Sequence, residues 1–382
     1  METEKLFYKD SFTKEFQAKV TACEPWKTGY RIVLSQTGFF PEGGGQTADT
    51  GRLNAVPVLD VQEEQGILYH FTQQPLEVGT EVKGTLNWEE RFWKMQHHSG
   101  EHIVSGLIHK HFGYHNVGFH LGSQVVTLDF DGIITKEELR MIEKEANQAV
   151  AQNIEIQVSY PSKEELSRLE YRSKIEIEGQ VRIVTIPGYD VCACCAPHMR
   201  YTGQIGMIKL VNMQNYKGGV RIYMLCGFAA LADYCEKEDS VSRIALSLST
   251  HESQVAEGVE RLKEEIFRQK GEILKLQNEL LSYKAEQIEP GAPKAVLFEE
   301  NLEGNGVREL VNKLLDREVG TAVVFAGNDE NGYRYVIGSR RKDVRELAKE
   351  MNQKLLARGG GKPEMVQGSV ACTKKELEEF FS

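Results

Sequence analysis

Two stretches decide how this chain is read. They are His98-Ser99-Gly100-Glu101-His102 and, far downstream, Val191-Cys192-Ala193-Cys194-Cys195-Ala196-Pro197-His198. Histidines four apart share one face of a helix. Cys194 and His198 repeat the same offset. His98, His102, Cys194 and His198 together offer three imidazole nitrogens and a thiolate, which suits one zinc ion per chain in tetrahedral geometry. Cys195 directly follows Cys194 and stays open as the alternative thiolate, although the spacing favours Cys194. Cys192 reads as a bystander.

Around the first stretch, Trp93, Ile103, Leu107 and Ile108 form an apolar stripe, so residues 88–112 read as a helix. Upstream, short runs rich in β-branched and aromatic residues recur at near-regular spacing: Val20–Cys23, Tyr30–Leu34, Gly51–Leu53, Val56–Val61, Gly66–Phe71 and Val82–Leu86. They suggest a small barrel. It contains Phe39-Phe40-Pro41-Glu42-Gly43-Gly44-Gly45-Gln46. Three glycines allow positive φ or a close backbone approach. Read alone they are a flexible hairpin, lacking the endings of a P-loop or a dinucleotide fold.

Downstream, Gly122–Asp131 reads as a strand, Glu137–Asn153 as a helix, and Ile154–Tyr160 and Val181–Ile186 alternate with period two. Ile205–Val211 and Gly219–Met224 are again strand-like. From about Asp239 to Glu286 the chain lacks proline. There Val255, Val259, Leu262, Ile266, Gln269, Ile273, Leu276, Leu280 and Tyr283 step by four and three, a heptad seam with one polar position. Pro290-Gly291-Ala292-Pro293 ends it.

The rest alternates strand and helix, with a glycine loop at Arg358–Ser369. The chain is therefore expected to be α+β. It should hold a small β-barrel (1–87), an α+β metal domain (88–240), a coiled-coil helical linker (241–289) and an α/β domain (290–382). In the last, Arg334, Arg340, Arg341, Lys342, Arg345, Lys349, Lys354, Arg358 and Lys362 outnumber the acidic residues beside them. That surplus suits phosphate-backbone contact, or else a solvated helix face.

Composition bounds these readings. With 382 residues, several domains are expected. A net charge of −10 argues against nucleic-acid binding over the whole surface, though not against a local basic face. Seven cysteines, unevenly spread, look like reduced thiols plus a metal site rather than a disulfide framework. No apolar run spans a bilayer and no signal peptide opens the chain, so a soluble, cytoplasmic protein is expected.

His-x-x-Glu-His also fits an inverted zincin motif, with Glu101 as general base. Such metalloproteases take a downstream carboxylate as third ligand, whereas here the downstream signature is cysteine and histidine.

The combined motifs resemble a known family across nearly the whole chain. His98-x-x-x-His102 with Cys194-x-x-x-His198, followed by Thr202-Gly203-Gln204-Ile205-Gly206, is similar to the editing domain of alanyl-tRNA synthetase and its free-standing AlaX relatives. Phe39 to Gly51 resembles the barrel before that domain, and Gly219-Val220-Arg221 the strand after its cysteine motif. Gly359-Gly360-Gly361-Lys362-Pro363 with Gln367-Gly368 resembles the C-Ala domain. No class II motif precedes the barrel, so a long AlaX type without an aminoacylation domain is expected.

The resemblance implies a trans-editing hydrolase that cleaves the ester joining serine, and in some relatives glycine, to tRNA(Ala). Glu101, Gln46 and His120 become the catalytic candidates. His120 falls where relatives sense the serine hydroxyl, though a solvent-facing strand histidine fits as well. Glu101 is either the base or a surface glutamate. Gly43, Gly44, Gly45, Thr202 and Arg221 become substrate contacts. Arg340, Arg341, Lys342, Arg358, Gly360, Gly361 and Lys362 become tRNA contacts. A homodimer through the coiled coil or the C-Ala-like domain is expected. The alternative is a tRNA-binding or dimer-forming module with a structural zinc and no turnover.

Overall fold

Along Glu15–Trp26 (β1), Phe16, Ala18 and Val20 are buried while Glu15, Gln17 and Lys19 are exposed, the period of a strand with one wet face. The computed structural model describes residues 2–122, 126–173, 179–302 and 304–382, in two compact units, Met1–Val241 and Ser242–Ser382.

In the first unit, β1 is joined by β2 (Gly29–Leu34), β3 (Gly51–Leu53), β4 (Val56–Glu64), β5 (Ile67–Thr72) and β6 (Glu81–Leu86). They pair in the order β1-β2-β5-β4-β3-β6, and β6 returns to β1, closing the ring. Phe16, Ile32, Leu34, Leu53, Val61, Leu68 and Val82 fill the interior.

A buried histidine shares this interior. The His70 rings nitrogens lie 3.1 Å (Nδ1) from Ile32 O and 2.8 Å (Nε2) from Thr37 Oγ1. Nδ1–H donates to the carbonyl and Nε2 accepts from the hydroxyl, so the ring is neutral. Burial pushes His70 down to about 4, against the weaker opposite pull of the Ile32 carbonyl. The unfolded chain therefore binds a proton that the folded one refuses. Stability contributed by His70 is present above about pH 6.5 and lost as pH falls towards 4. Between pH 7 and pH 5 this should cost about 2 kcal/mol. Urea titrations at the two pH values should show a smaller difference in a His70→Gln variant. An unchanged difference would rule His70 out as the cause.

The barrel leads into α1 (Trp88–Phe112), closed by Gly113 at φ 73°. Every side chain from Lys94 to Ile108 is buried, including His97, His98, Ser99, Glu101, His102 and Ser105. A helix buried on all sides with that many polar groups is costly unless each is partnered, so the cluster marks a site. His97 is structural: Nδ1 lies 2.8 Å from Trp93 O, and Nε2 accepts from Cys226 N at 3.0 Å.

Two small sheets pack around α1. One has the order β12-β13-β8-β7, from β7 (Asn116–Leu121), β8 (Val126–Phe130), β12 (Ile208–Tyr216) and β13 (Gly219–Cys226). The other is β9 (Gln157–Ser159), β10 (Ile183–Ile186) and β11 (Asp190–Ala193). Helix α2 (Lys136–Gln152) starts at Thr135, which forms a capping box with Glu138. The expected strand from Gly122 begins at Val126, and its residues Ser123–Val125 lie outside the described residues. Strand β7 was anticipated only at His120, because Gly118 interrupts its alternation.

From the end of the first unit into the second, the proline-free stretch forms two helices, and the whole heptad seam, Val255 to Tyr283, lies in the later one. The helix α3 (Phe228–Ser247) ends in a Schellman cap: Ser249 takes φ 50°, Thr250 N–H donates to Ala245 O and Ser249 N–H to Leu246 O. Helix α4 (Val255–Glu286) then follows. Serine and threonine compete for backbone hydrogen bonds and break the run. Leu262, Ile266, Ile273, Leu276, Leu280 and Tyr283 of the seam are exposed, whereas Leu281 and Ala285 pack into the unit's core.

A five-stranded sheet completes this unit in the order β14-β15-β16-β18-β17. The strands are β14 (Ala295–Glu299), β15 (Ala322–Asn328), β16 (Gly332–Gly338), β17 (Arg358–Lys362) and β18 (Met365–Val370). Helix α5 (Gly304–Asp316) shares one core with Ala322, Val324 and Ala326. Helices α6 (Arg345–Lys354) and α7 (Lys374–Phe381) share the other with Val323 and Phe325. The expected glycine loop is instead the hairpin β17–β18. A Cβ on Gly359 would lie 2.3 Å from Tyr335 Oη, and one on Gly361 2.3 Å from Met365 O, so these glycines serve tight strand packing. No described helix is long and apolar enough to cross a membrane.

Candidate metal centre

His98 and His102 come from consecutive turns of α1. Cys194 and His198 come from the irregular segment after β11, so their matching offset is met by a turn rather than a helix. One ligand atom from each of the four lies within 4.8 Å of all the others. Cys194 Sγ is 3.5 Å from His98 Nε2 and 3.3 Å from His198 Nε2. A tetrahedral shell with bonds of about 2.0–2.3 Å has edges of about 3.3–3.7 Å. The donor chemistry and the spacing therefore both fit zinc.

Electrostatics agree with that fit. Burial alone would raise the Cys194 thiol, but the His98 and His198 rings and hydrogen bonds from His102 and His198 hold it well below its usual range. Burial pushes His198 down to about 3, leaving a neutral ring with a free lone pair. A thiolate and a neutral imidazole are the ligand forms a metal takes. His102, although burial pulls it down, is held well above its usual range by Cys192, Asp190 and Cys194, so a metal would have to displace its proton.

Each histidine is also gripped from behind. His98 Nδ1 lies 3.1 Å from Gln46 Oε1. His198 Nδ1 lies 3.0 Å from Ser99 Oγ, which also accepts from Met199 N–H at 3.1 Å. His102 Nδ1 lies 2.9 Å from Asp190 Oδ2, in ion-pair range but off the line of a straight hydrogen bond. The ligand loop is pinned too, because Ser11 Oγ donates to His198 O at 2.8 Å.

Glu101 is buried rather than a surface residue. Its Oε1 accepts from Ser105 Oγ at 2.8 Å and Asn116 Nδ2 at 2.7 Å, and Oε2 lies 3.8 Å from His102 Nε2. Gln46 is buried, and its Nε2 has no hydrogen-bond partner among the described residues. The glycines that precede it form a tight turn. Gly43 and Gln46 exchange two backbone hydrogen bonds of 3.0 Å, with Gly44 at φ 61° and Gly45 at φ 81°. A Cβ on Gly45 would lie 2.8 Å from Phe119, and one on Gly44 3.2 Å from Cys195 Sγ. The turn thus lies against both Phe119 and the cysteine segment. Cys195 itself is exposed and faces that turn, and the cluster takes Cys194.

Other expected residues are not brought here. His120 is exposed, and the strand's alternation sends it opposite to Phe119, whose ring centroid is 4.9 Å from that of His98. Thr202 is buried as a brace, donating to Ala149 O at 2.6 Å and accepting from Ile154 N–H at 2.8 Å. Arg221 is held by Asp129 through Nε at 2.6 Å and Nη2 at 2.7 Å.

In the second unit, Arg340, Arg341, Lys342, Arg358, Gly360, Gly361 and Lys362 are exposed. Arg340 pairs with Asp316. Arg358 and Arg334 flank Ser369 in one cross-strand row and line a cleft of about 680 Å³. The sequence reading missed Ser99, Asn116, Phe119, Arg172 and Asp190. Of these, only Ser99 lies within the motif itself.

Comparison with known proteins follows the same division. The profile described as "Threonyl and Alanyl tRNA synthetase second additional domain" matches residues 181–223, across Cys194 and His198. One described as "tRNA synthetases class II (A)" matches residues 2–90, over the barrel. The DHHA1 domain profile matches residues 291–382. The alanine–tRNA ligases of Pyrococcus abyssi and Pyrococcus furiosus are 31% and 32% identical over 100% and 99% of this chain, each covered for 43% of its length. The chain thus spans less than half of these curated relatives. The alanyl-tRNA editing protein Aarsd1 of Danio rerio is 26% identical over 97% of this chain and 94% of its own length.

Proposed function

Because the chain belongs to the AlaX-like alanyl-tRNA editing family, we propose that it hydrolyses the ester linking a wrong amino acid, serine or glycine, to tRNA(Ala). The observation that carries this reading is the four-donor cluster closed from two distant segments beneath the Gly43–Gln46 turn. His98, His102, Cys194 and His198 would hold zinc, whose chemistry when bound is to polarise a carbonyl or a water.

The chain's own groups do the rest. Glu101, buried beside His102, is placed to take a proton from the attacking water. Ser105 and Asn116 hold its other oxygen. Gln46 keeps its carbonyl on His98 and has an unpartnered amide N–H to offer the ester oxygen as charge develops there. Phe119 and the glycine turn exclude water from one side. An aminoacyl ester is already activated, so positioning of this kind supplies much of what the reaction requires. The basic strand row and the exposed Arg340–Lys342 segment would hold the tRNA backbone.

Four protein ligands also describe a structural zinc site, which favours a module without turnover as the second reading. One assay separates them. Seryl-tRNA(Ala) and alanyl-tRNA(Ala) are incubated with the protein, with and without a chelator. Hydrolysis of the seryl ester in preference to the alanyl ester, lost on chelation before the circular-dichroism signal changes, is expected. A folded, zinc-loaded protein that leaves both esters intact overturns the proposal.

A further inference from the structure

The three histidines of the cluster differ in what stands behind them: an amide on His98, a hydroxyl on His198 and a carboxylate on His102. Asp190 is buried, and Arg172 grips both its oxygens, with Nε 2.7 Å from Oδ1 and Nη2 2.9 Å from Oδ2. Arg172 is itself anchored on both flanks. Its N–H donates to Val191 O at 2.8 Å, and its carbonyl accepts from Ala193 N–H at 2.9 Å. The approach of this pair to α1 depends on Gly106, where a Cβ would lie 2.2 Å from Tyr189 O and 2.9 Å from Asp190 Cβ.

From this we infer that Arg172 and Asp190 are positioning residues that orient His102 and set how tightly the cluster holds its metal. A competing reading is a second metal site, since His102, Asp190 and Cys192 also present ligand atoms within 4.8 Å of one another. The guanidinium decides against it, because a fixed cation already engages both carboxylate oxygens. A carboxylate behind a ligating imidazole fixes the ring and raises its basicity, and loss of such a partner typically costs 10–100-fold in metal affinity. The bidentate arginine keeps that carboxylate ionised and turned towards the ring. Arg172 lines a cleft of about 620 Å³, but its side chain is mostly buried against Asp190, so each Arg172 variant is checked for native folding before titration.

The inference rests on the reading of the cluster as a metal site and not on the substrate. Its test uses the full chain and zinc alone. Asp190→Asn, Arg172→Gln, Arg172→Lys and the Asp190→Asn/Arg172→Gln double variant are titrated with zinc against a chromophoric chelator. Their cobalt-loaded forms are compared by visible absorption. Asp190→Asn should weaken zinc binding about 10–100-fold and shift the cobalt d–d bands while keeping the thiolate charge-transfer band. Arg172→Gln should weaken binding about tenfold, Arg172→Lys less, and the double variant no more than Asp190→Asn alone. Zinc affinity and cobalt bands unchanged in Asp190→Asn and Arg172→Gln overturn the inference and leave the metal reading standing. If Asp190→Asn does not fold, zinc affinity and cobalt bands unchanged in Arg172→Gln decide against it. A wild-type chain that takes up no zinc overturns the metal reading and the inference together.

Discussion

Replacing Cys194 by alanine is expected to yield a folded protein that purifies without zinc and hydrolyses seryl-tRNA(Ala) at least about a thousandfold more slowly, a barrier increase of about 4 kcal/mol. Cys194 is the sole thiolate of the cluster, and its sulfur touches two of the three histidine nitrogens. Removing it leaves three imidazoles, without the anionic ligand and with one corner of the shell open. Cys195→Ala is the matched control. Its sulfur faces the Gly44 turn rather than the histidines, so zinc content should stay at one per chain. Elemental analysis and single-turnover deacylation measure both variants. Full zinc in Cys194→Ala, or its loss in Cys195→Ala, would transfer the ligand role to the neighbour.

Arg91→Met is expected to destabilise the first unit by about 3–5 kcal/mol, because it strands a buried carboxylate. Arg91 is fully buried and pairs with Asp49, while also donating to Gly38 O at 2.7 Å and Ser11 O at 3.2 Å. Asp49 in turn accepts from Phe40 N–H at 2.7 Å. One ion pair therefore joins the first turns of α1 to the segment that follows the glycine turn. Urea unfolding measures the loss. An Arg91→Met/Asp49→Asn double variant should recover part of it, since the amide no longer carries a stranded charge. Equal stability of wild type and Arg91→Met would show that the pair contributes nothing net.

These two residues illustrate what a one-dimensional reading can and cannot reach. The donor quartet was legible because metal chemistry restricts residue type and offset so tightly that two short strings suffice. The barrel strands were legible because one wet face imposes period two. Asp190 and Arg172 were not, since each acts only through the distance that folding closes between β11 and α1. His120 was read either as facing the pocket or as a solvent-facing strand histidine, and the structure has it exposed. Position along a strand fixes which face a side chain takes only once the register is known, and the register gave that face to Phe119. The glycines of β17 looked like a phosphate loop because tight strand packing and close ligand approach draw on the same lack of a side chain. The heptad seam was legible because its steps of four and three lie within one unbroken helix, which starts only after the break at Ser249 and Thr250.

The ring of strands does more than adjoin the donor cluster. Through Gln46 it holds one ligand's ring, through Ser11 another ligand's backbone, and through Asp49 the root of the helix that carries two of them. A substitution in this module therefore reaches the four donors as well as the strands around it, and changes there are expected to disturb the donor geometry without touching any donor.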